Sequence, residues 1–185
     1  MSPERKAKTM NPDIFMDDFE RTVWADAHYA VIGRALTFAT RFDAGCKTLN
    51  VMLSVKSKRK SLSTEDDIRS FVNRLYKHPL AEHIKSIVGN KNNLKSILDN
   101  ARFARNEIAH EITLGLDRCI DNLPKVALRH MMKRLKELIK SLAEADKIIS
   151  LISSIVTHEC LPNHDFLSKY PNLVEKWVTE DEVIC

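Results

Sequence analysis

Between Leu128 and Val156 an apolar residue returns at every third or fourth position: Leu128, Met131, Leu135, Leu138, Leu142, Ala145, Ile149, Ile152 and Val156. This is the period of one face of an α-helix, held for about eight turns, and a strand cannot use it. A second stripe, Val31, Ala35, Phe38, Phe42, Cys46, Leu49 and Met52, repeats the same spacing. Two helices of this length must bury their apolar faces on something, and each supplies a surface for the other. The expected fold is therefore all-α, a helical bundle with two long helices and several shorter ones. Four glycines and six prolines among 185 residues leave few points at which such helices would break.

The stretches between the stripes carry their own punctuation. Asn11 and Pro12 read as the start of a helix over the segment that follows them. The first long stripe ends in "VKSKRKSLS", which reads as a basic, serine-rich loop. Ser63 or Thr64 caps a helix carrying Ile68, Phe71, Val72 and Leu75, with Glu65, Asp66 and Asp67 suited to its positive end. A short segment with Leu80, Ile84 and Ile87 closes at Gly89. A further helix follows, striped by Leu94, Leu98, Ala101, position 105, Ile108 and Ile112. A break spans Gly115 to Pro124, and the longest helix is expected from Lys125 to His158. Beyond it, "NLVEKWV" suggests one last helix. The expected organisation is a single domain over 1–185, with 1–10 a disordered N-terminus and 161–185 a C-terminal appendage.

Charge and cysteine usage bound the function classes. Lys and Arg number 29 against 25 Asp and Glu, but from Asp165 onward five acids face two lysines, so the body is basic and its tail acidic. That balance suits a polyanionic partner. The start "MSPERKAKTM" lacks the apolar segment of an export signal, and no apolar run approaches the ~20 residues that span a bilayer. The expectation is a soluble, cytoplasmic protein without membrane contact, whose four cysteines are reduced thiols.

One position breaks the apolar pattern. Arg105 falls on the stripe of its helix, where a guanidinium must be paired or must face a polar surface. Asp17, Asp18 and Asp26 of the first long helix are candidate partners. Arg102, Asn106 and His110 follow one another at steps of four and form a polar ridge. On an α-helix, residues 105 and 110 would lie about 140° apart.

The segment "RNEIAH", Arg105 to His110, resembles the R-x4-6-H signature of HEPN domains (higher eukaryotes and prokaryotes nucleotide-binding), in which the residue after the arginine is typically polar. The setting is similar as well: an internal helix of an all-helical bundle, over about residues 12–160. The resemblance implies a metal-independent endoribonuclease, of a kind that includes toxins and defence effectors, or else a non-catalytic module that binds a nucleotide, an RNA or a protein. Arg105, Asn106 and His110 are then the expected catalytic residues. RNA cleavage through the 2′-hydroxyl needs a base and an acid, histidine suits both, and the motif holds one. A homodimer with the motif on its two-fold axis would supply the second. An antitoxin or regulatory protein is a further expected partner.

RNA-binding candidates are Arg102 and three members of the row Lys125, Arg129, Lys133, Lys136 and Lys140, namely Arg129, Lys133 and Lys136. A solvated helix face explains the row equally well, and a linker explains Lys56, Lys58, Arg59 and Lys60. His158, Cys160 and His164 lack the fourth ligand of a zinc site, so no metal is expected. No Gly-rich phosphate loop occurs, and no cofactor is expected. Trp24, Phe38 and Phe42 read as core. A plain helical interaction protein is the reading that makes least of the motif.

Overall fold

The structure, a computed structural model, describes residues 22–180 except 90, 113–119 and 121–122. Among the described residues the regular secondary structure is all helical, with no strand. Its helices are α1 (Val23–Lys58), α2 (Glu65–Tyr76), α3 (Leu80–Val88), α4 (Asn92–Asn106), α5 (Lys125–Thr157) and α6 (His164–Thr179), with a π turn (Glu107–Glu111) directly after α4. The segments around Asn11 and between Gly115 and Cys119 lie outside the described residues.

α1 and α5 pack along the two long stripes. Val31, Ala35, Phe38, Phe42, Cys46 and Leu49 are buried on α1, and Leu128, Leu135, Leu138, Leu142, Ala145 and Ile149 on α5. Each large side chain among them contributes about 1.5–3 kcal/mol by leaving water. Trp24 is partly buried against the same core. A Cβ added at Gly45 would sit 3.4 Å from Ile149 Cγ2, so the two helices approach closely there. α4 and α6 flank α5, and α3 lies between α1 and α4.

The ends of the elements follow their caps. Thr64 caps α2 in a reciprocal arrangement: its hydroxyl accepts from the Asp67 N–H at 3.1 Å, and its own N–H donates to the Asp67 carboxylate at 3.0 Å. Gly89 ends α3 with φ 55°, and His158 ends α5 in the left-handed region.

Four expectations change. α1, at 36 residues, is longer than α5, at 33. It runs through Lys56 to Lys58, so part of the basic segment is its last turn, where cations complement the helix dipole. On α5, Met132 takes the deep position and Met131 is half-buried. The last helix begins at His164, capped by Asn163, whose side chain accepts from the Phe166 N–H at 2.8 Å. It continues through Pro171 and buries Val174 and Val178 against α1 and α5. The residues expected as an appendage thus share the main core.

Candidate functional site

The motif sits where α4 gives way to the π turn. Ala104, not position 105, completes the buried stripe of Leu98, Ala101, Ile108 and Ile112. Arg105 rides at the edge of that stripe with its side chain 26% exposed. Its Nη2 donates to Asp43 Oδ2 at 2.9 Å, tying α4 to α1. Its Nη1 donates to Asn106 Oδ1 at 3.2 Å. Of the five N–H donors of a guanidinium, these bonds engage two, and three have no hydrogen bond among the described residues.

The partner is therefore Asp43 rather than Asp26; Asp17 and Asp18 lie outside the described residues. Geometry explains the choice. Asp43 is buried half-way along α1, facing α4, and the short carboxylate meets the long guanidinium. Lys47, one turn on, stands 3.3 Å from Asp43 Oδ1 without forming a hydrogen bond to it.

After Asn106 the backbone bonding shifts from i→i−4 to i→i−5, and the Ile112 N–H donates to the Glu107 carbonyl at 2.9 Å. Such a turn holds more residues than an α turn. It reduces the angle between Arg105 and His110 below the α-helical value and keeps His110 on the side of Asn106. His110 is exposed, and no hydrogen bond joins its ring to another described residue. Glu107 is pinned on α5 by Arg134, whose Nε and Nη2 donate to its two carboxylate oxygens at 2.7 Å each. The Arg134 guanidinium holds the Glu107 carboxyl below its usual range.

The expected RNA-binding residues are dispersed. Arg102 lies 3.5 Å from Asp99 Oδ1 and stacks on the exposed Phe103 ring, 4.4 Å from its centroid. Arg129 and Lys133 are exposed on α5 and Lys136 is half-buried. Lys140 is engaged with Glu175 of α6 at 3.1 Å. Arg134, next in sequence to Lys133, is an α5 cation that reaches the motif segment, at Glu107. Arg105 and Asn106 are thus in contact, while His110 projects from the following turn.

Asp43, Lys47, Glu107 and Arg134 were not among the sequence candidates. Asp43 did leave a signal. It borders the stripe of α1 beside Phe42, as Arg105 borders that of α4, and two opposite charges at the edges of apolar faces are natural partners. The Glu107–Arg134 pair left none, since both are ordinary residues of solvated faces.

Other reactive groups near the site are held inert. Burial pushes the Cys46 thiol up, with Asp43 and Asp146 adding to the effect, so no thiolate nucleophile forms there. His83 is buried on α3. Its Nε2 bonds the His78 carbonyl at 3.1 Å and its Nδ1 faces Asn50 Nδ2 at 2.9 Å. Those partners fit a neutral ring that donates from Nε2 and accepts at Nδ1, and burial lowers its pKa accordingly.

A separate cavity of about 300 Å³ opens between α1 and α6, walled by Phe38, Phe166, Tyr170, Leu173 and Trp177 with Arg41 at its edge. No cluster of three His, Cys, Asp or Glu side chains able to hold a metal occurs among the described residues. Nor is any described helix long and apolar enough to cross a membrane. No protein-family model matches the chain, and neither a curated protein nor a solved structure is significantly similar to it.

Proposed function

We propose that the chain is a metal-independent endoribonuclease of the HEPN type, working as a homodimer with the motif at the two-fold axis. The observation that carries this reading is the pairing of a fixed arginine with an open histidine on adjacent turns. Arg105 is held by Asp43 and Asn106 with donors to spare, and His110 is exposed just beyond it. In the reaction His110 takes the proton of an RNA 2′-hydroxyl, and the 2′-oxygen attacks the adjacent phosphorus. His110 of the partner subunit protonates the departing 5′-oxygen as the P–O5′ bond breaks. Arg105 stabilises the charge on the phosphorane. The products are a 2′,3′-cyclic phosphate and a 5′-hydroxyl.

The test is cleavage of RNA in EDTA by the purified protein beside His110→Ala, with the product termini identified and the mass measured by light scattering. Loss of cleavage on chelation, restored by Mg²⁺ or Zn²⁺, would sink the metal-independent mechanism, and a monomer at micromolar concentration would sink the dimeric one.

A second reading, a non-catalytic HEPN module, is favoured by one observation: Asp43 already neutralises Arg105. It predicts RNA or nucleotide binding without turnover.

A further inference from the structure

We infer that Arg134 of α5 is a positioning residue for His110, fixing through Glu107 the π turn from which the histidine projects. For its kinetic readout this rests on the ribonuclease reading; for its structural readout it does not.

No hydrogen bond joins the His110 ring to another described residue, so the backbone that carries it decides which space the ring can reach. That backbone is a π turn, an uncommon conformation that inserts one extra residue and occurs often at functional sites. Two features hold it. On the core side, Ile108 and Ile112 are buried at either end of the turn. On the solvent side, Glu107 is clamped: both of its carboxylate oxygens are taken by Arg134 at 2.7 Å, in the bidentate fork that fixes direction as well as distance.

Arg134 is itself braced, since its Nη1 donates to Glu137 Oε2 at 3.3 Å one turn further along α5. The same Glu107 lends its carbonyl to the i→i−5 bond from Ile112. Releasing its side chain frees the residue at which the turn changes its bonding. Arg134 holds the Glu107 carboxyl below its ordinary range, so the clamp stays charged further into acid than a free glutamate would.

A positioning role differs from direct contact with RNA in how it responds to charge reversal. A cation that touches phosphate cannot be replaced by an acid. A clamp can be rebuilt with its ends exchanged. The experiment therefore compares the full chain with Arg134→Ala, Arg134→Lys and the exchange Glu107→Arg/Arg134→Glu, each checked for its helical signal and melting temperature.

Two quantities are read in each: kcat and KM on an RNA substrate in EDTA, and the NMR signals of the His110 ring, assigned by their loss in His110→Ala. Arg134→Ala should lower kcat by about 10- to 100-fold, the cost of a small misplacement of a reacting group, with KM little changed. The His110 signals should shift. The exchange should recover most of both effects, and Arg134→Lys, which keeps the charge but loses the fork, should fall between.

Unchanged His110 signals in Arg134→Ala would overturn the inference. So would a rise in KM that the exchange makes worse, which would mean Arg134 binds RNA directly. If the wild-type chain cleaves no RNA, the ribonuclease reading falls, and the His110 signals alone decide the clamp. If an exchanged chain fails to fold, an intermediate kcat and shift in Arg134→Lys support the clamp, and wild-type values in it overturn the clamp.

Discussion

Two aspartates are buried on the long helices, and each captures an arginine, but to different ends. Asp146 of α5 is closed. Its Oδ2 accepts from the Tyr170 hydroxyl at 2.6 Å, and Arg41 Nε covers both oxygens at 3.4 and 3.5 Å. That carboxylate joins α5, α6 and α1, and Arg41 itself lies largely in solvent, 61% exposed. Asp43 of α1 is less complete. Oδ2 accepts from Arg105, while Oδ1 has Lys47 near it and no hydrogen bond. Its arginine is the more enclosed of the two, yet it borders the open ridge of Asn106 and His110. The first carboxylate takes two hydrogen bonds on one oxygen, from α1 and from α6, and reads as a joint between helices. The second pair leaves capacity unused on both partners, next to an exposed histidine.

The difference is open to attack at Asp146 first. Asp146→Ala removes the acceptor of a half-buried hydroxyl and leaves a void at a three-helix junction, so it should destabilise the chain by about 3 kcal/mol. Asp146→Asn keeps an acceptor for Tyr170 and should cost markedly less. Urea denaturation measures both. A loss below about 1 kcal/mol in Asp146→Ala would mean that the joint is not one.

Arg105→Ala should come next, at about 2 kcal/mol. It strands the Asp43 carboxylate, a change that costs about 3–5 kcal/mol where nothing else compensates, but Lys47 remains 3.3 Å away. Adding Asp43→Asn should recover part of the loss, because the uncompensated charge is then gone. The cycle of single and double variants reads the coupling directly. Additive losses would show that Arg105 stands in its place without help from Asp43.

These pairs also mark how far the sequence could be read. The bundle was legible because its stripes repeat over many turns, and the deep residues are nearly those of the stripes. What the stripes concealed was register. Position 105 was assigned to the buried face by spacing alone, whereas Ala104 fills it and Arg105 only borders it. Spacing cannot separate neighbours 100° apart when both suit the edge of a face. The π turn was hidden for a related reason: one inserted residue leaves the composition of "EIAHE" unremarkable, and only its tertiary clamp gives it away. α6 begins eight residues before the segment "NLVEKWV" that suggested it, and it runs through Pro171. Within the helix the proline forfeits only the bond to residue 167, and the ring is buried. Arg105, Asn106 and His110 were singled out by pattern; Asp43, which holds Arg105, and Arg134, which holds Glu107, come from other helices.

The solvent-side pair offers a smaller, pH-dependent effect. Glu107 is held below the usual carboxylate range by Arg134. As pH falls, the unfolded chain therefore binds this proton before the folded one does. The pair's stabilisation is complete above the unfolded carboxylate value of about 4.3 and is lost as pH falls through the depressed folded value. Arg134 is half exposed, so the contribution is discounted to at most about 1 kcal/mol. Arg134→Ala should melt lower than wild type at pH 7, and the gap should shrink under acid. A gap that stayed constant down to pH 3 would rule out the ion pair as its source.

The least effect on stability is expected at His110, and it is the one that bears most on function. The ring is exposed, sits beyond the stripe, and has no hydrogen bond to another described residue. Surface positions of this kind usually change stability by no more than about 0.5 kcal/mol, roughly 1–2 °C in melting temperature for a chain of this size. His110→Ala should therefore melt with the wild type. Alanine also has the higher helix propensity, so a slight rise would be no surprise. If the ribonuclease reading is right, the same variant loses cleavage, because the base and its symmetric counterpart disappear together. The contrast with Asp146→Ala is then complete: one substitution disrupts the joint and lowers activity only through unfolding, and the other leaves the fold and removes the chemistry. A marked fall in melting temperature for His110→Ala would instead make the histidine part of the scaffold. Cleavage retained by a fully folded His110→Ala would remove it from the reaction, and the exposed ring would then belong to a binding surface.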